Sequence, residues 1–178
     1  MADTVFTACF LNACNRNADI VGMANYAPIV NTRGCIFTHK DGIVLRGTYY
    51  VFYMFVKYLG EEIIDLWQKD CEKLYPKDKD GNAHEVDAID VVATLRKDGK
   101  IAVSAINKDA ESSRELILDI ENVKRYKIYT LNGESTESYN DIGVDGIVLK
   151  ESDYISCEGK VKITLEKHSV NIIEIETE

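Results

Sequence analysis

The stretch "VDAIDVVATLRKDGKIAVSAIN", residues 86–107, predicts two paired β-strands. Residues 86–95 and 101–107 are rich in β-branched and apolar side chains, and Lys97-Asp98-Gly99 lies between them. An Asp-Gly pair between two such runs is a strong hairpin signal, because glycine accepts the positive φ that a tight turn needs. We therefore expect an antiparallel hairpin in the middle of the chain.

Further short strands are predicted on the carboxyl side of this hairpin. They alternate apolar and polar residues, which gives one face to a core and one to water. They cover residues 115–120, 124–131, 161–165 and 170–176. Many short strands with no long helical pattern between them are typical of an antiparallel β-sandwich. We assign residues 61–178 to that domain.

Residues 1–60 have a different pattern: helix, strand, loop and helix. Residues 4–15 carry apolar side chains at helical spacing, with Asp3 or Thr4 placed as N-cap. We expect a strand at residues 20–24, a hairpin at 35–45 with Asp41-Gly42 in its turn, and a second helix at 48–59, where the aromatic residues leave a strand possible. The first half of the first helix has little polar face, so something must cover it.

Composition and charge narrow the function classes. The chain has 178 residues, 46% of them hydrophobic and 29% charged, as in an ordinary soluble globular protein. A formal net charge of −9 argues against nucleic acid or an anionic membrane as partner and is compatible with a neutral substrate. The most apolar segment, residues 48–59, is shorter than the ~20 residues that span a bilayer. Five cysteines without a C-x-x-C pair, and no signal peptide, favour a cytoplasmic location.

The histidines, cysteines and acidic residues do not predict a metal or nucleophile site. "DKDGNAHE", residues 78–85, has acidic residues but not the spacing of a calcium loop. His39, His84 and His168 lack partners at zinc spacing, and a turn or packing role is favoured for His168. Cys35 and His39 are near in sequence, but all five cysteines are interpreted as small buried hydrophobes. We expect no metal and no cofactor.

The carboxylates and aromatic residues do not by themselves predict a sugar site. Hydrolysis of a glycoside needs two carboxyl groups at a fixed separation, whereas the acidic residues here favour exposed turns. Trp67 with Tyr75, or Tyr126 with Tyr129, would offer rings to sugar C–H groups, although core positions are favoured for them.

Several segments together resemble the carboxyl-terminal region of α-L-arabinofuranosidases of glycoside hydrolase family 51. The first is "NRNADIVGMANYAPIVNTRGCIFTHKDGIVLRGTYYVF", residues 15–52. The likeness continues in order through "IIDLWQKD" (63–70), "AIDVVATLRKDGKIAVSAINKD" (88–109), "LNGESTESYNDI" (131–142) and "HSVNIIEIE" (168–176). It thus extends over nearly the whole chain.

The resemblance implies a mainly β fold: an antiparallel jelly-roll-like β-sandwich preceded by a helix-strand-helix remnant of the last repeat of a (β/α)8 barrel. Residues 1–60 would be that remnant, and "VGMANYAP", residues 21–28, its eighth strand. Asn25, Tyr26 and Asn31 would then lie at the rim of the sugar pocket, where barrels place their sites. The family's two catalytic Glu residues belong to earlier strands, so no catalytic residue is assigned here. Some members have a sugar-binding Gln at the position of Pro28, which has no side-chain donor.

Three functions follow as alternatives. The leading one is the C-terminal portion of an α-L-arabinofuranosidase acting on arabinose-containing oligosaccharides, inactive as an isolated chain. The second is a non-catalytic carbohydrate-binding sandwich, which predicts an exposed row of rings including Trp67 or Tyr126. The third is a purely structural module with Trp67 in a core. A lone barrel strand leaves unpaired backbone groups, so we also expect residues 1–59 to be rearranged, packed against the sandwich or buried in a homo-oligomer.

Overall fold

The computed structural model describes residues 1–157 and 159–178. The first part of the chain contains two helices and a hairpin: α1 (Ala2–Arg16), β1 (Ile36–His39), β2 (Gly42–Leu45) and α2 (Gly47–Tyr58). The strands that follow are β3 (Glu62–Ile64), β4 (Lys73–Leu74), β5 (Val86–Asp87), β6 (Ile89–Leu95), β7 (Ile101–Asn107), β8 (Arg114–Leu118), β9 (Val123–Gly133), β10 (Asn140–Asp141), β11 (Val144–Asp145), β12 (Ile147–Glu151), β13 (Ile155–Ser156), β14 (Val161–Leu165) and β15 (Val170–Thr177).

A large antiparallel sheet organises the molecule. Its strands lie in the order β12-β9-β15-β7-β6-β3, and β13 also pairs with β9. The predicted hairpin forms its β6 and β7, with Leu95 opposite Ile101, and is confirmed. The last strand, β15, lies between β7 and β9, so both of its edges are hydrogen-bonded. Six of its eight residues are buried, because layers cover both faces of the sheet.

The first covering layer is the two-stranded sheet of β8 and β14. It packs on the face that carries Ile173 and Ile175 of β15. Leu118 of β8 and Val161 and Leu165 of β14 are buried against that face. This arrangement confirms a mainly β, antiparallel fold with two packed layers.

The second covering layer is the helix pair α1 and α2. Their apolar residues pack on the opposite face of the sheet, around Ile172 and Leu131. The helices approach each other closely where α2 begins: a Cβ at Gly47 would lie 2.1 Å from Oγ1 of Thr4. Neither helix of the described residues has the length and apolar character that a bilayer crossing requires.

Polar contacts attach α1 to the edge of β6. Asn12 Nδ2 donates to Asp90 Oδ1 at 2.8 Å, and the guanidinium of Arg16 donates to both oxygens of the same carboxylate, at 2.8 and 3.0 Å. Asn12 is fully buried, and the Asp90 side chain is mostly buried. Both helices therefore pack on the large sheet, which is one of the three arrangements expected for residues 1–59.

Two local predictions in this part were wrong. Residues 20–24 do not form a strand, and Ile20 and Met23 are exposed. A strand needs a neighbour for its N–H and C=O groups, and no other strand of the described residues lies beside this segment to provide one. In place of the predicted helix-strand-helix arrangement, this part of the chain contains a helix, a loop, a hairpin and a second helix. Neither Asp3 nor Thr4 caps α1, which begins at Ala2 without a side-chain cap.

Candidate functional site

The loop between α1 and β1 contains all three residues that the resemblance placed at a pocket rim. Its second half is fixed by backbone bonds: Asn31 N–H donates to Ile36 O at 2.7 Å, Ile36 N–H to Ile29 O at 3.0 Å, and Gly34 N–H to Asn31 O at 2.6 Å. Gly34 is required, since a Cβ there would lie 2.4 Å from Ile29 O. Residues 29–36 thus form a closed turn on the amino end of β1.

Asn31 holds this turn together. Its φ is +60°, a left-handed conformation that asparagine adopts more readily than most residues, and Thr32 follows with a φ of +48°. Asn31 Oδ1 accepts from the backbone N–H of Thr38 at 2.9 Å and from its hydroxyl at 3.0 Å. For a β-branched residue such as Thr32, a positive φ is strained, and strained residues cluster at functional sites.

Tyr26 and Asn25 lie on the first half of the loop. The Tyr26 hydroxyl donates to Arg33 O at 3.1 Å, and its ring meets the edge of Phe52 with 5.7 Å between centroids. Asn25 is exposed. Tyr26 therefore has a fixed orientation, whereas the Asn25 side chain is open to solvent. That these residues contact a sugar stays a prediction.

A cleft of about 950 Å³ opens beside Tyr26. Its walls come from three parts of the chain: the start of α1, the loop and hairpin around Arg33 and Phe37, and the residues leading into β10. Asn140 joins the last two walls, since its Nδ2 donates to Leu45 O at 3.0 Å and its Oδ1 accepts from Ile147 N–H at 2.7 Å. A volume of this order suits a small organic ligand.

Arginines and aromatic rings line the hairpin side of this cleft. Arg46 Nη1 donates to Thr32 O at 2.9 Å and to Gly34 O at 3.2 Å, and its guanidinium lies 5.5 Å from the centre of the Phe37 ring. Arg33 also lines the cleft, and among the described residues it has no ion-pair partner. Arg46 therefore supports the loop, while Arg33 is available to a ligand.

Sequence reasoning found only one residue of this cleft, Tyr26. It missed Arg33, Phe37, Arg46, Thr48 and Tyr139, which also line it. Arg33 belongs to the turn "NTRG", residues 31–34, and this turn pattern could have indicated Arg33 as a site residue. Tyr139 is more than 100 residues away in sequence, and only the bonds of Asn140 bring its loop to the hairpin. No local pattern could have predicted that contact.

The carboxyl groups whose pKa values are shifted have hydrogen-bonding or charged partners. Hydrolysis of a glycoside needs a carboxylic acid whose pKa is raised. Six carboxyl groups of the described residues have pKa values that depart from the ordinary range, and all six are lowered: Glu61, Asp78, Asp87, Asp98, Glu174 and Glu176. For Glu176 the neighbouring Arg125 and Lys100 lower the pKa to about 2. These groups are ionised partners of basic side chains or backbone N–H groups.

The acidic loop at residues 78–85 is a self-contained turn. Asp78 Oδ1 accepts from the backbone N–H groups of Asp80 and Asn82, both at 2.9 Å, and its Oδ2 lies 2.9 Å from His84 Nε2. These bonds lower the Asp78 pKa to about 2, with the His84 bond as the largest cause. Within residues 1–157 and 159–178, no group of three or more His, Cys, Asp or Glu is placed to hold a metal ion.

Cys35 and His168 are buried. All five cysteines are free, and the predicted burial was wrong for the other four, which are only partly buried. Burial raises the pKa of Cys9 to about 12, so its thiol is unreactive at neutral pH. His168 is buried at the turn before β15, with a φ of +42° and Nδ1 3.0 Å from Asn132 Oδ1. The turn and packing role predicted for His168 is confirmed.

Trp67 lies on the opposite side of the sheet from the helices, at a second cleft of about 790 Å³. It is 90% exposed, and Tyr75 is also exposed. The burial that the structural-module hypothesis predicted for Trp67 was therefore wrong. Tyr126 and Tyr129 are buried, as the core interpretation predicted.

Comparison with known proteins identifies the family. The family model described as "Alpha-L-arabinofuranosidase C-terminal domain" matches residues 1–169. The chain belongs to this family of arabinofuranosidase C-terminal domains. Its resemblance to the carboxyl-terminal region of those enzymes is thereby confirmed.

The relatives of this family member are longer proteins. The chain is 28% identical over 176 residues to the "Probable alpha-L-arabinofuranosidase C" of Aspergillus niger, covering 97% of this chain and 34% of that protein. It is 26% identical over 182 residues to the "Intracellular exo-alpha-L-arabinofuranosidase" of Bacteroides ovatus, covering 99% and 34%. The chain thus spans about a third of the length of these relatives.

Solved structures share the fold. The family 51 α-L-arabinofuranosidase of Thermotoga petrophila superposes with a TM-score of 0.83 at 24% identity, over 98% of this chain and 38% of that one. The family 51 enzyme of Bifidobacterium longum gives a TM-score of 0.85 at 19% identity, over 98% and 35%. The two helices, the hairpin and the sandwich together therefore form a unit that recurs within larger enzymes.

Proposed function

We propose that this chain is the C-terminal portion of an α-L-arabinofuranosidase that removes terminal arabinofuranosyl groups from arabinose-containing oligosaccharides. The observation that carries this proposal is the match of the family model to residues 1–169 in a chain that spans about a third of its relatives. In this function the chain is an accessory and structural part. The catalytic acid and nucleophile belong to the other two thirds of the enzyme.

The lowered pKa values of the six carboxyl groups named above also support a catalytic acid outside this chain. A retaining glycosidase needs one carboxyl group that is protonated at neutral pH. Glu174 is instead held ionised by Tyr154 and Lys100, and Glu176 by Arg125 and Lys100, which lower the pKa of both groups. We therefore expect the isolated chain to have no hydrolytic activity.

A chimera tests this proposal. This chain replaces the corresponding last third of the Bacteroides ovatus enzyme, and hydrolysis of an aryl α-L-arabinofuranoside is measured. We expect turnover by the chimera, and none by the truncated enzyme or by this chain alone. Hydrolysis by this chain alone that is lost on substituting one of its own carboxylates would overturn the proposal, and so would a folded but inactive chimera.

We also propose that residues 1–60 are the remnant of the last barrel repeat and residues 61–178 the sandwich. The exposed apolar side chains of the first part support this division. On α1, Phe6 is 71% exposed and Phe10 is also exposed, one helical turn apart and away from the sheet. In the loop, Ile20 and Met23 add to this apolar surface.

An exposed apolar surface of this kind favours association with another surface. For the isolated chain, a second copy of the chain can provide that surface. We expect self-association that depends on concentration, measured by size-exclusion chromatography with light scattering. Phe6→Ser with Phe10→Ser should shift the chain toward monomer, while Val56→Ser, at an exposed position of α2, should not. A native chain that stays monomeric at high concentration would refute the homo-oligomer.

A cytoplasmic location belongs to the same proposal. All five cysteines are free, which is typical of a reducing compartment, and the Bacteroides ovatus relative is named intracellular. Fractionation of the source cells tests it; recovery of the protein outside the cytoplasm would contradict it.

A second candidate function is a carbohydrate-binding sandwich, and the exposure of Trp67 favours it. A ring that is 90% exposed beside a cleft offers an apolar face to sugar C–H groups. Trp67→Ala should then weaken binding of arabinan or arabinoxylan in affinity electrophoresis, with Tyr75→Ala as the companion variant. Equal retardation of Trp67→Ala and the native chain would remove this candidate.

A further inference from the structure

The cleft between the hairpin and the loop before β10 combines features of a saccharide subsite. Its walls are fixed by bonds between distant residues rather than by one flexible loop. Asn140 ties β10 to the end of β2 and to β12 with three hydrogen bonds of 2.7–3.2 Å. On the other wall, Arg46 secures the turn of residues 29–36. The cleft is therefore preformed, which lowers the entropic cost of binding.

Aromatic rings stand on different sides of this cleft. Tyr26 lines the loop wall and Phe37 the hairpin wall. Tyr139 lines the opposite wall and is 61% exposed, although a large aromatic side chain gains free energy when it is covered. Rings that offer an apolar face next to polar groups suit the C–H surface of a sugar and its hydroxyl groups.

A buried hydroxyl group under the cleft lacks a partner. Thr48 lines the cleft near the start of α2 and is 7% exposed, and its Oγ1 makes no hydrogen bond to any described residue. A buried hydroxyl group without a partner destabilises the folded chain, because it has lost its hydrogen bonds to water. A ligand hydroxyl group, or a water held by the ligand, would satisfy it.

The charges around the cleft favour a neutral ligand. Three cationic groups line it, Arg33, Arg46 and the amino terminus of Met1, together with three carboxylates, Asp3, Glu137 and Asp141. An anion would meet the three carboxylates, and a cation would meet the three cationic groups. A neutral polyhydroxylated molecule can accept hydrogen bonds from Arg33 and donate to the carboxylates.

We propose that this cleft is a subsite for a neutral, pentose-based oligosaccharide, held between Tyr26 and Tyr139 and bonded by Arg33 and Thr48. The proposal rests on the function proposed above and adds to it a place where the saccharide beyond the reacting sugar binds. It gives the C-terminal part a direct contact with substrate. Tyr139 and Thr48 are then binding residues, and Asn140 and Arg46 are positioning residues.

Titration of the full chain with α-1,5-arabinotriose, followed by backbone amide NMR, tests the subsite. We expect saturable shifts at Arg33, Thr48 and Tyr139. Tyr139→Ala should weaken binding about tenfold, which corresponds to about 1.4 kcal/mol. Val56→Ala, at an exposed position of α2 that does not line the cleft, should leave the affinity unchanged. Loss of binding in Trp67→Ala but not in Tyr139→Ala would overturn the proposal, as would the absence of saturable shifts.

Thr48→Val separates a binding role from a structural one. Valine has nearly the same shape and removes the hydroxyl group that lacks a partner. We expect the melting temperature of the free chain to rise and the affinity for arabinotriose to fall, two changes of opposite sign. An unchanged affinity would show that Thr48 does not contact the ligand.

The subsite and the proposed function fail in different ways. If the chimera hydrolyses an aryl arabinofuranoside but the chain binds no arabinotriose in this cleft, the subsite is wrong and the proposed function stands. If arabinotriose binds in the cleft and the folded chimera is inactive, the proposed function is wrong. A subsite that acts in the enzyme also predicts that Tyr139→Ala in the chimera raises KM for arabinotriose more than for an aryl arabinofuranoside.

Discussion

Replacing Asp90 by Ala should loosen α1 from the sheet and lower the free energy of unfolding of the whole chain by about 3 kcal/mol. The carboxylate accepts a 2.8 Å bond from the buried amide of Asn12, whose loss costs about 2 kcal/mol because it leaves that donor unpaired. Its bidentate pair with Arg16 adds about 1 kcal/mol, a reduced value because the Arg16 side chain is 44% exposed.

Urea unfolding measures this loss. With a slope of about 2 kcal/mol per molar urea, the unfolding midpoint should fall by about 1.5 M. The matched control is Asp119→Ala, which removes the ion pair of two exposed side chains, Asp119 and Lys160, and should cost less than about 0.5 kcal/mol. Far-UV circular dichroism reports the helices, and near-UV signals of the buried tyrosines report the packed core, in which Tyr58 of α2 stacks on Tyr129 of β9.

Two results would refute this reasoning. If the midpoint of Asp90→Ala is no lower than that of Asp119→Ala, the bonds from Asn12 and Arg16 do not stabilise the packing of α1. If the helix signal is lost before the tyrosine signal in the native chain, the helices and the sheet are not one cooperative unit. The second result would favour residues 1–60 as an independently unfolding part.

Three further predictions concern the loop, the core and the charged end of the sheet. Gly34→Ala should open the turn of residues 29–36 and speed its amide hydrogen exchange, because its Cβ would meet Ile29 O, whereas Gly22→Ala, with nothing within 4 Å, should not. Met54→Ala, at a fully buried position of α2, should cost about 2–5 kcal/mol in urea unfolding; a cost near that of Val56→Ala, at an exposed position, would contradict its core role. Glu176 has a lowered pKa in the folded state, so its stabilisation is present above its unfolded pKa of about 4.3 and is lost as the pH falls toward about 2. Melting temperatures should therefore fall less steeply between about pH 5 and pH 2 in Glu176→Gln than in the native chain, and parallel curves would contradict this.

The sheet was predictable from local patterns because its strands carry their signals within a few residues. The hairpin of β6 and β7 has an Asp-Gly turn between two β-branched runs, and β14 alternates buried and exposed residues. The strand β12 was missed: "IVLKE" follows a polar loop, and the Asp145-Gly146 pair directly before it was not interpreted as a turn signal. It forms because β9 is long enough to pair with both β12 and β13, which is information that lies elsewhere in the chain.

The error at residues 20–24 has a different origin. The apolar run Ile20-Val21-Gly22-Met23-Ala24 has the composition of a buried barrel strand, and the resemblance implied the same. A strand, however, is stabilised by its neighbours, and the part of the chain that the structure describes provides no partner for this segment. The composition of a segment thus indicates the surroundings in which it would be stable. The structure shows the surroundings that the segment has.

The same reasoning connects α1 to the candidate site. One side of α1 is buried through Ala8 and Leu11 against the sheet, and the other carries the exposed rings of Phe6 and Phe10. A helix that is apolar on both sides is typical of a position between two layers, and the described residues provide the sheet as one of them. Phe6 also lines the cleft that contains Tyr26 and Tyr139. A surface that covers the exposed side of α1 would therefore also close one wall of this cleft. Saccharide binding should therefore depend on whether the exposed side of α1 is covered. Arabinotriose should bind more tightly to the chimera than to this chain alone. Equal affinities would show that the cleft is complete without a covering surface.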